Sequence, residues 1–219
     1  MILKKLKIKT NFIEKTNCYI IADEDKKECM IIDPAGEAEI IIDMVQNVLK
    51  CKTKYIYITH CHGDHIGAVA QVKQKLGGKV LIHRLEAEIL NNLDINLTGY
   101  IGMNNIELEA DSRVNDDDLI HIGNIELKVI HTPGHTIGSS ALYCEKENIL
   151  FSGDTLFRGT WGRTDLPTSS FEDIIDSITN KLIVLPENTI VYPGHGIETM
   201  IYEETPIYKE LKPRKELGI

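Results

Sequence analysis

Thr59-His60-Cys61-His62-Gly63-Asp64-His65 places three imidazoles and one carboxylate within six consecutive positions of the chain. Immediately before it, residues 55–58 are Tyr-Ile-Tyr-Ile, a β-rich run that predicts a strand. After it, residues 64–76 carry apolar side chains at helical spacing and end at Gly77-Gly78, which predicts a helix. The sequence therefore predicts a strand-to-helix turn that concentrates metal-binding side chains.

The side chains of this turn are expected to point in two directions. Side chains two apart on a strand share a face, so His60 and His62 lie on one side. Gly63 allows a sharp bend, after which Asp64 and His65 face a second position. Because one ion takes three or four ligands, a second ion requires further ligands from elsewhere in the chain.

Three later segments offer such ligands, each in a glycine-containing loop that follows a predicted strand. They are His131-Thr132-Pro133-Gly134-His135-Thr136, Ser152-Gly153-Asp154-Thr155 and Tyr192-Pro193-Gly194-His195-Gly196. Active sites of α/β sheets commonly lie at the carboxyl ends of strands. The pattern therefore indicates one site built from both halves of the chain.

The remaining periodicity predicts one α/β domain over residues 1–219. Strands are expected at 1–10, 18–22, 28–33, 79–83, 119–122, 125–130, 139–144, 148–152 and 190–192. Helices are expected at 37–49, 85–90, 171–182 and around 199–204. Residues 91–118 lack a clear period, so we interpret them as a long loop that could form a lid or substrate wall.

Composition bounds the class of partner. The net charge of −9 disfavours a nucleic-acid interface. The sequence shows no apolar run of about 18 residues and no signal-peptide pattern, so we expect neither a membrane partner nor secretion. The five cysteines are odd in number and scattered, which indicates free thiols in a reducing cytoplasm. The pattern leaves the oligomeric state open.

The motif His60-x-His62-x-Asp64-His65, followed in order by His135, Asp154 and His195, resembles the metallo-β-lactamase superfamily. The resemblance covers almost the whole chain and implies a four-layer αβ/βα sandwich. It implies two divalent ions, zinc with iron or manganese as alternatives. Its ligand sets are His60, His62 and His135 on one ion, Asp64, His65 and His195 on the other, with Asp154 bridging. Asp33 is expected to support the metal loops by accepting a hydrogen bond, although a strand-end role beside Pro34 stays open.

Residues 151–167 and 192–199 resemble the glyoxalase II-like (hydroxyacylglutathione hydrolase) group, which implies hydrolysis of a small-molecule thioester. A lysine and a tyrosine that contact glutathione in that group are replaced here by Arg163 and Asp165. Arg163 could still bind a carboxylate. We also expect Phe157, Trp161 and Tyr100 to line the substrate entrance, with a structural packing role as the alternative for Trp161.

The expected reaction is attack on the thioester carbonyl by a hydroxide that bridges the two metals, with Asp64 or Asp154 orienting it. The run Gly162-Arg163-Thr164-Asp165 also resembles persulfide dioxygenases, which use one iron at positions matching His60, His135 and Asp154. That activity is the main alternative. A lactonase and a non-enzymatic metal-binding scaffold rank lower, as do a β-lactamase and a nuclease.

Four other candidates are expected to be structural. Cys61 lies between two ligands, so alternation turns its side chain away from the metals. At pH 7, an unperturbed thiol of pKa ~8.5 is also deprotonated to a smaller extent than a metal-bound water of pKa ~7, so it supplies less of the nucleophilic form. His83, His121 and His131 lack the context of a ligand, and we expect them to pack in the core or lie at the surface. For His131, four residues before His135, a supporting role beside the metal site stays open.

Overall fold

The computed structural model describes residues 1–10, 15–25, 27–99 and 108–211 and contains two six-stranded sheets. The first sheet comprises β1 (Ile2–Ile8), β2 (Thr16–Asp23), β3 (Glu28–Ile32), β4 (Lys52–Ile58), β5 (Lys79–His83) and β6 (Ser112–Val114) in that spatial order. Its first three strands are antiparallel, and β3 through β6 are parallel. Parallel neighbours place the carboxyl ends of their strands at one edge.

The second sheet comprises β7 (Leu119–Ile122), β8 (Ile125–His131), β9 (Ser140–Cys144), β10 (Ile149–Gly153), β13 (Ile190–Pro193) and β14 (Thr199–Met200). Its spatial order is β14-β13-β10-β9-β8-β7, with β10 and β13 parallel. Between β10 and β13 the chain forms a short hairpin, β11 (Leu156–Phe157) and β12 (Thr160–Trp161).

β2 shows how alternating side chains build the layers. All eight of its residues are buried. Tyr19 and Ile21 pack between the two sheets, whereas Cys18 and Ile20 pack on the outer side, against helical residues. A strand covered on both faces has a continuous apolar sequence, which is why the Cys18–Ala22 run is so hydrophobic.

Helices cover the outer face of each sheet. The first sheet carries α1 (Ala38–Asp43), α2 (Gly63–Ile66), α3 (Val69–Leu76) and α4 (Arg84–Ala87), and the second carries α5 (Phe171–Asp176) and α6 (Ile201–Tyr208). The predicted four-layer αβ/βα sandwich is therefore confirmed. In the described part of the chain, no helix has the length and apolarity that a membrane crossing requires.

The boundaries of several elements differ from those predicted. The helix expected over 64–76 is interrupted at Gly67-Ala68, and α1 and α5 each continue as a π-helical turn, at Met44–Leu49 and Ser177–Leu182. The 91–118 segment contains β6, a three-residue strand that pairs with β5; its residues 100–107 lie outside the described ranges. Residues 199–200 form β14 before the last helix begins. Short strands depend on a distant partner, so local periodicity does not reveal them.

Candidate metal centre

The histidine turn lies at the carboxyl edge of the first sheet. β4 is parallel to both of its neighbours, and its last residue, Ile58, precedes the turn. His62 keeps an extended backbone (φ −62°, ψ 144°) directly before α2. The amide of Gly63 donates to the carbonyl of Asn96 at 2.8 Å. The turn is thus held at both its strand end and its helix end.

Seven side chains converge beside this turn. They form three overlapping groups in which the candidate ligand atoms lie within 4.8 Å of one another. The groups are His60, His62 and His135; His60, His65 and Asp154; and Asp64, His65 and His195. The structure therefore brings together all seven residues that the sequence predicts as ligands.

The distances suit ligands of a shared tetrahedral ion. With a Zn–N bond of about 2.0–2.1 Å, two ligand atoms of one ion lie about 3.3 Å apart. Nδ1 of His62 is 3.0 Å from Nε2 of His135. Nε2 of His195 is 3.3 Å from Nε2 of His65 and 3.3 Å from a carboxylate oxygen of Asp64. These pairs mark two neighbouring positions.

Asp154 lies between the two positions. One carboxylate oxygen is 3.4 Å from Nε2 of His65. The other is 3.3 Å from Nε2 of His195 and 3.7 Å from Nε2 of His135. The side chain contacts members of both groups and has the placement that a bridging ligand requires.

The protons on the imidazoles also fit a bound metal. Nδ1 of His135 donates to the carbonyl of Arg163 at 2.9 Å, and Nδ1 of His195 donates to the carbonyl of Lys15 at 3.2 Å. Because a carbonyl only accepts, each ring directs its Nε2 into the site. Nε2 of His60 is buried without a hydrogen-bond partner in the described structure. Buried polar atoms are normally satisfied, and a divalent cation would satisfy this one.

Asp33 supports the turn from beneath. Its carboxylate accepts hydrogen bonds from the Thr59 amide at 2.8 Å and the Thr59 hydroxyl at 2.7 Å. It also accepts from Nδ1 of His65 at 2.9 Å, which orients Nε2 of that ring toward the site. The Thr59 oxygen in turn lies 3.1 Å from Nδ1 of His60. One buried carboxylate thereby sets the orientation of two imidazoles.

Electrostatics divide the histidines into two sets. Burial, reinforced by neighbouring histidines, lowers the pKa of His60 well below its usual range and that of His62 to about 3. Burial also acts to lower the pKa of His65 and His195, but Asp154 and neighbouring carboxylates outweigh it. They raise the pKa of His65 to about 10 and that of His195 to about 11. Burial acts to raise the pKa of Asp154, but His195 and His65 outweigh burial and hold that pKa well below its usual range.

Two glycines allow the backbone to approach the site closely. A Cβ on Gly194 would lie 2.1 Å from a carboxylate oxygen of Asp154 and 2.7 Å from Cε1 of His65. A Cβ on Gly162 would lie 1.9 Å from the Asp154 carbonyl and 2.9 Å from Nδ1 of His135. Neither position accommodates a side chain without displacing a candidate ligand.

Comparison with known families matches this geometry. A family model described as the metallo-beta-lactamase superfamily matches residues 13–195, well over half of the chain. The chain belongs to the metallo-β-lactamase superfamily. As a member, it is a metal-dependent hydrolase of a superfamily that binds divalent metals, and its clustered His and Asp side chains are candidate ligands for such ions.

Individual members of the superfamily are similar over most of their length. Hydroxyacylglutathione hydrolase GloC of Haemophilus influenzae is 34% identical over 190 residues, covering 86% of this chain and 89% of GloC. The crystal structure of BLEG-1 B3 metallo-beta-lactamase superposes with a TM-score of 0.86 at 36% identity, covering 94% of this chain and 97% of that one. The crystal structure of TTHA1623 in a di-iron-bound form superposes with a TM-score of 0.79 at 28% identity, covering 96% of this chain and 99% of that one.

A cavity of about 710 Å³ in this superfamily member opens onto the candidate metal centre. His62, Asp64, His135, Asp154 and His195 line its floor. Its walls carry Leu97, Phe157, Leu166 and Ile197, with Arg158 and Arg163 beside them. The cavity therefore combines an apolar wall with two cationic side chains next to the candidate ligands.

Phe157, predicted at the entrance, and Arg163, predicted to bind substrate, line the cavity. Trp161 is not among the lining residues, which favours the packing role stated as its alternative. Trp161 packs against Phe171 and Tyr208, with ring centroids 5.9 and 6.0 Å away. In the β11–β12 hairpin it pairs with the buried Leu156, on the face opposite Phe157. Tyr100 lies outside the described residues.

The residues expected to be structural are placed accordingly. Cys61 is fully buried, and burial together with Glu86 raises the pKa of its thiol well above the usual range. His83 is buried and stacks on His131 at a centroid distance of 4.1 Å. His121 lies at the surface, 2.9 Å from Glu126. None of these histidines belongs to the candidate ligand groups of the described residues.

Sequence reasoning missed two polar side chains that hold the loops of the site, and a third that holds the hairpin beside it. The Asn17 side-chain amide donates to the carbonyls of Pro193 and Gly196, on either side of His195. Glu204 accepts from the Gly159 amide at the tip of the hairpin that carries Phe157. Glu86 binds the histidine turn itself. A helical glutamate or a strand asparagine has no distinguishing local pattern, so only the fold identifies them.

Proposed function

We propose that this protein hydrolyses the thioester bond of a small-molecule substrate, using two zinc ions held by the seven converging side chains, with iron or manganese as alternative metals. The observation that carries the proposal is the position of Asp154 between two groups of histidine ligands. The thioester is supported by the likeness to GloC, whose name specifies a hydroxyacylglutathione hydrolase. The glyoxalase II-like residues 151–167 support it further.

The proposed roles follow from the contacts. His60, His62 and His135 would hold one ion, and Asp64, His65 and His195 would hold the other. Asp154, which contacts His135 and His195, lies within reach of both positions. Bound divalent ions supply a water molecule of lowered pKa and polarise a carbonyl oxygen. The pKa of each of the Asp64 and Asp154 carboxyls is lowered, so both are ionised. They would accept hydrogen bonds from such a water molecule and orient it. The departing thiolate, with a thiol pKa of ~8.5, leaves without a positioned acid.

The test compares metals and substrates directly. Protein reconstituted separately with zinc and with iron is assayed on S-lactoylglutathione, on glutathione persulfide with oxygen consumption recorded, and on a β-lactam. We expect thioester cleavage with two ions per chain. Oxygen consumption with one iron per chain would instead establish a persulfide dioxygenase, and β-lactam cleavage without thioesterase activity would also overturn the proposal.

Arg163 provides a prediction about the thiol part of the substrate. Its guanidinium forms two hydrogen bonds with the Asp165 carboxylate, at 2.7 and 2.9 Å, and both side chains are mostly exposed. Exposed ion pairs exchange partners at little cost. We propose that a substrate carboxylate replaces Asp165 on Arg163, since a guanidinium binds a carboxylate bidentately.

Two substitutions should therefore change KM in opposite directions for an anionic thioester. We expect Arg163→Ala to raise KM about tenfold or more, because it removes a charge-assisted hydrogen-bonding partner. We expect Asp165→Asn to lower KM a few-fold, because it removes the competing carboxylate. An uncharged thioester serves as the control and should show neither effect. Equal changes with both substrates would exclude Arg163 as the anion-binding side chain.

The cellular setting is proposed on similar grounds. All five cysteines are free thiols, and four of them are buried. Free thiols are typical of a reducing compartment, so we propose that the enzyme acts in the cytoplasm. The net charge of −9 opposes binding to nucleic acid.

A further inference from the structure

Glu86 is a fully buried carboxylate that makes no contact with the metal positions. It lies on α4, and its side chain is 0% exposed. One oxygen accepts the Cys61 amide at 2.7 Å, and the other accepts the Gly138 amide at 2.8 Å. In the described structure no lysine, arginine or histidine forms an ion pair with it. A charge buried in this way is costly unless hydrogen bonds satisfy it.

The two amides that Glu86 binds belong to the two loops that carry the three-histidine group. Cys61 is the residue between His60 and His62. Gly138 lies three residues after His135, in the loop that leads into β9. The first loop follows a strand of the first sheet, and the second joins two strands of the other sheet. Glu86 therefore links the loops across the boundary between the sheets.

The contact also requires close approach at Gly138. A Cβ on this residue would lie 2.6 Å from the Glu86 backbone nitrogen and 2.8 Å from its Cγ. The Cys61 and Gly138 amides both donate, and a carboxylate accepts through two oxygens at a set spacing.

We infer that Glu86 is a positioning residue that sets the separation of His135 from His60 and His62, and thereby the affinity of the three-histidine position for its metal. Groups that orient ligands without touching the ion typically change metal affinity 10–100-fold when they are replaced. The inference rests on the proposed ligand set but not on the identity of the substrate.

The decisive variant is Glu86→Gln, which keeps the side-chain shape but turns one acceptor into a donor. Its amide group must then face one of the two backbone N–H groups. Zinc is removed from the protein and its affinity is measured by competition with a chromophoric chelator. We expect one of the two zinc ions to bind about 10–100-fold more weakly, with the other changed less than about threefold. The Co²⁺ ligand-field spectrum of the weakened position should also shift.

Glu204→Gln is the matched control. Glu204 is also buried, at 1% exposure, and also accepts a backbone amide, that of Gly159. It belongs to the opposite helical layer and holds a hairpin that carries no candidate ligand. We expect this variant to lose thermal stability comparably but to bind both zinc ions with wild-type affinity.

Each outcome decides the question. Wild-type zinc affinity in Glu86→Gln, or an equal loss in Glu204→Gln, would overturn the positioning role. If Glu86→Gln does not fold, Glu86→Asp retains the charge but is too short to reach both amides. A folded Glu86→Asp with unchanged zinc affinity would likewise overturn it. A wild-type protein that binds no zinc would instead overturn the ligand set, which separates the two failures.

Discussion

Replacing Asp154 with alanine is expected to lower turnover about a thousandfold or more and to reduce the metal content from two ions to one or none. The carboxylate is 3.3 Å from His195, 3.4 Å from His65 and 3.7 Å from His135, so its removal affects both metal positions. Loss of the metals removes the water of lowered pKa on which hydrolysis depends. Metal content is measured on the purified protein, and kcat is measured on the best thioester.

Asp117→Ala is the control for a general effect of removing an acidic side chain. Asp117 lies on the surface, where its mostly exposed carboxylate contacts Lys128. We expect it to retain two ions and wild-type turnover. An Asp154→Ala protein that keeps two ions and loses less than tenfold in kcat would exclude the bridging position assigned to Asp154.

The second large effect is a release of protons when metal binds. In the metal-free protein, neighbouring carboxylates outweigh burial and raise the pKa of His65 to about 10 and of His195 to about 11. Both rings are therefore protonated at pH 6, whereas His60 and His62 are neutral. A metal ligand must give up its proton. We expect binding of two zinc ions at pH 6 to release about two protons.

Calorimetric titration in two buffers of different ionisation enthalpy measures this number. Zinc affinity, taken over both ions, should rise about a hundredfold per pH unit while both rings are protonated. His195→Gln should reduce the release by about one proton. A wild-type release near zero would show that His65 and His195 are already neutral, or that they are not ligands.

The same groups determine how the metal-free protein responds to pH. The folded-state pKa values of His65 and His195 lie above the usual value of about 6.5. Their contribution to stability is therefore fully present below pH ~6.5 and is lost as the pH rises through their folded values. Metal binding, which deprotonates both rings, has the opposite dependence and becomes stronger as the pH rises.

Much of the site was predictable because its signals are local. His60, His62, Asp64 and His65 lie in one turn, and alternation along a strand already gives them two directions. The prediction for Asp33 as a supporting hydrogen-bond acceptor agrees with its contacts to Thr59 and His65. The ligand roles themselves stay predictions until metal is measured.

The sequence is least informative where the outcome depends on a distant partner. Glu86 acts on residues 25 and 52 positions away, so nothing in its own helix marks it. Proximity to Asp154 in the sequence favours the entrance for Trp161, with packing as the alternative. The β11–β12 pairing instead puts Phe157 opposite Thr160 at the cavity and Trp161 opposite Leu156 on the other face. The alternation of side chains along a strand predicts these two faces only when the β11–β12 hairpin is itself recognised in the sequence.

The attachment of the His195 loop to β2 bears on biosynthesis. The backbone amide of Asn17 donates to the Gly194 carbonyl at 2.7 Å, and Thr16 forms an isolated β-bridge with His195. A nascent chain emerges amino end first, so the three-histidine group has all its members once His135 leaves the ribosome. The second group also requires His195, which is synthesised 60 residues after His135. All residues of the three-histidine group are therefore synthesised before those of the second group, so the two candidate metal positions become complete at different times.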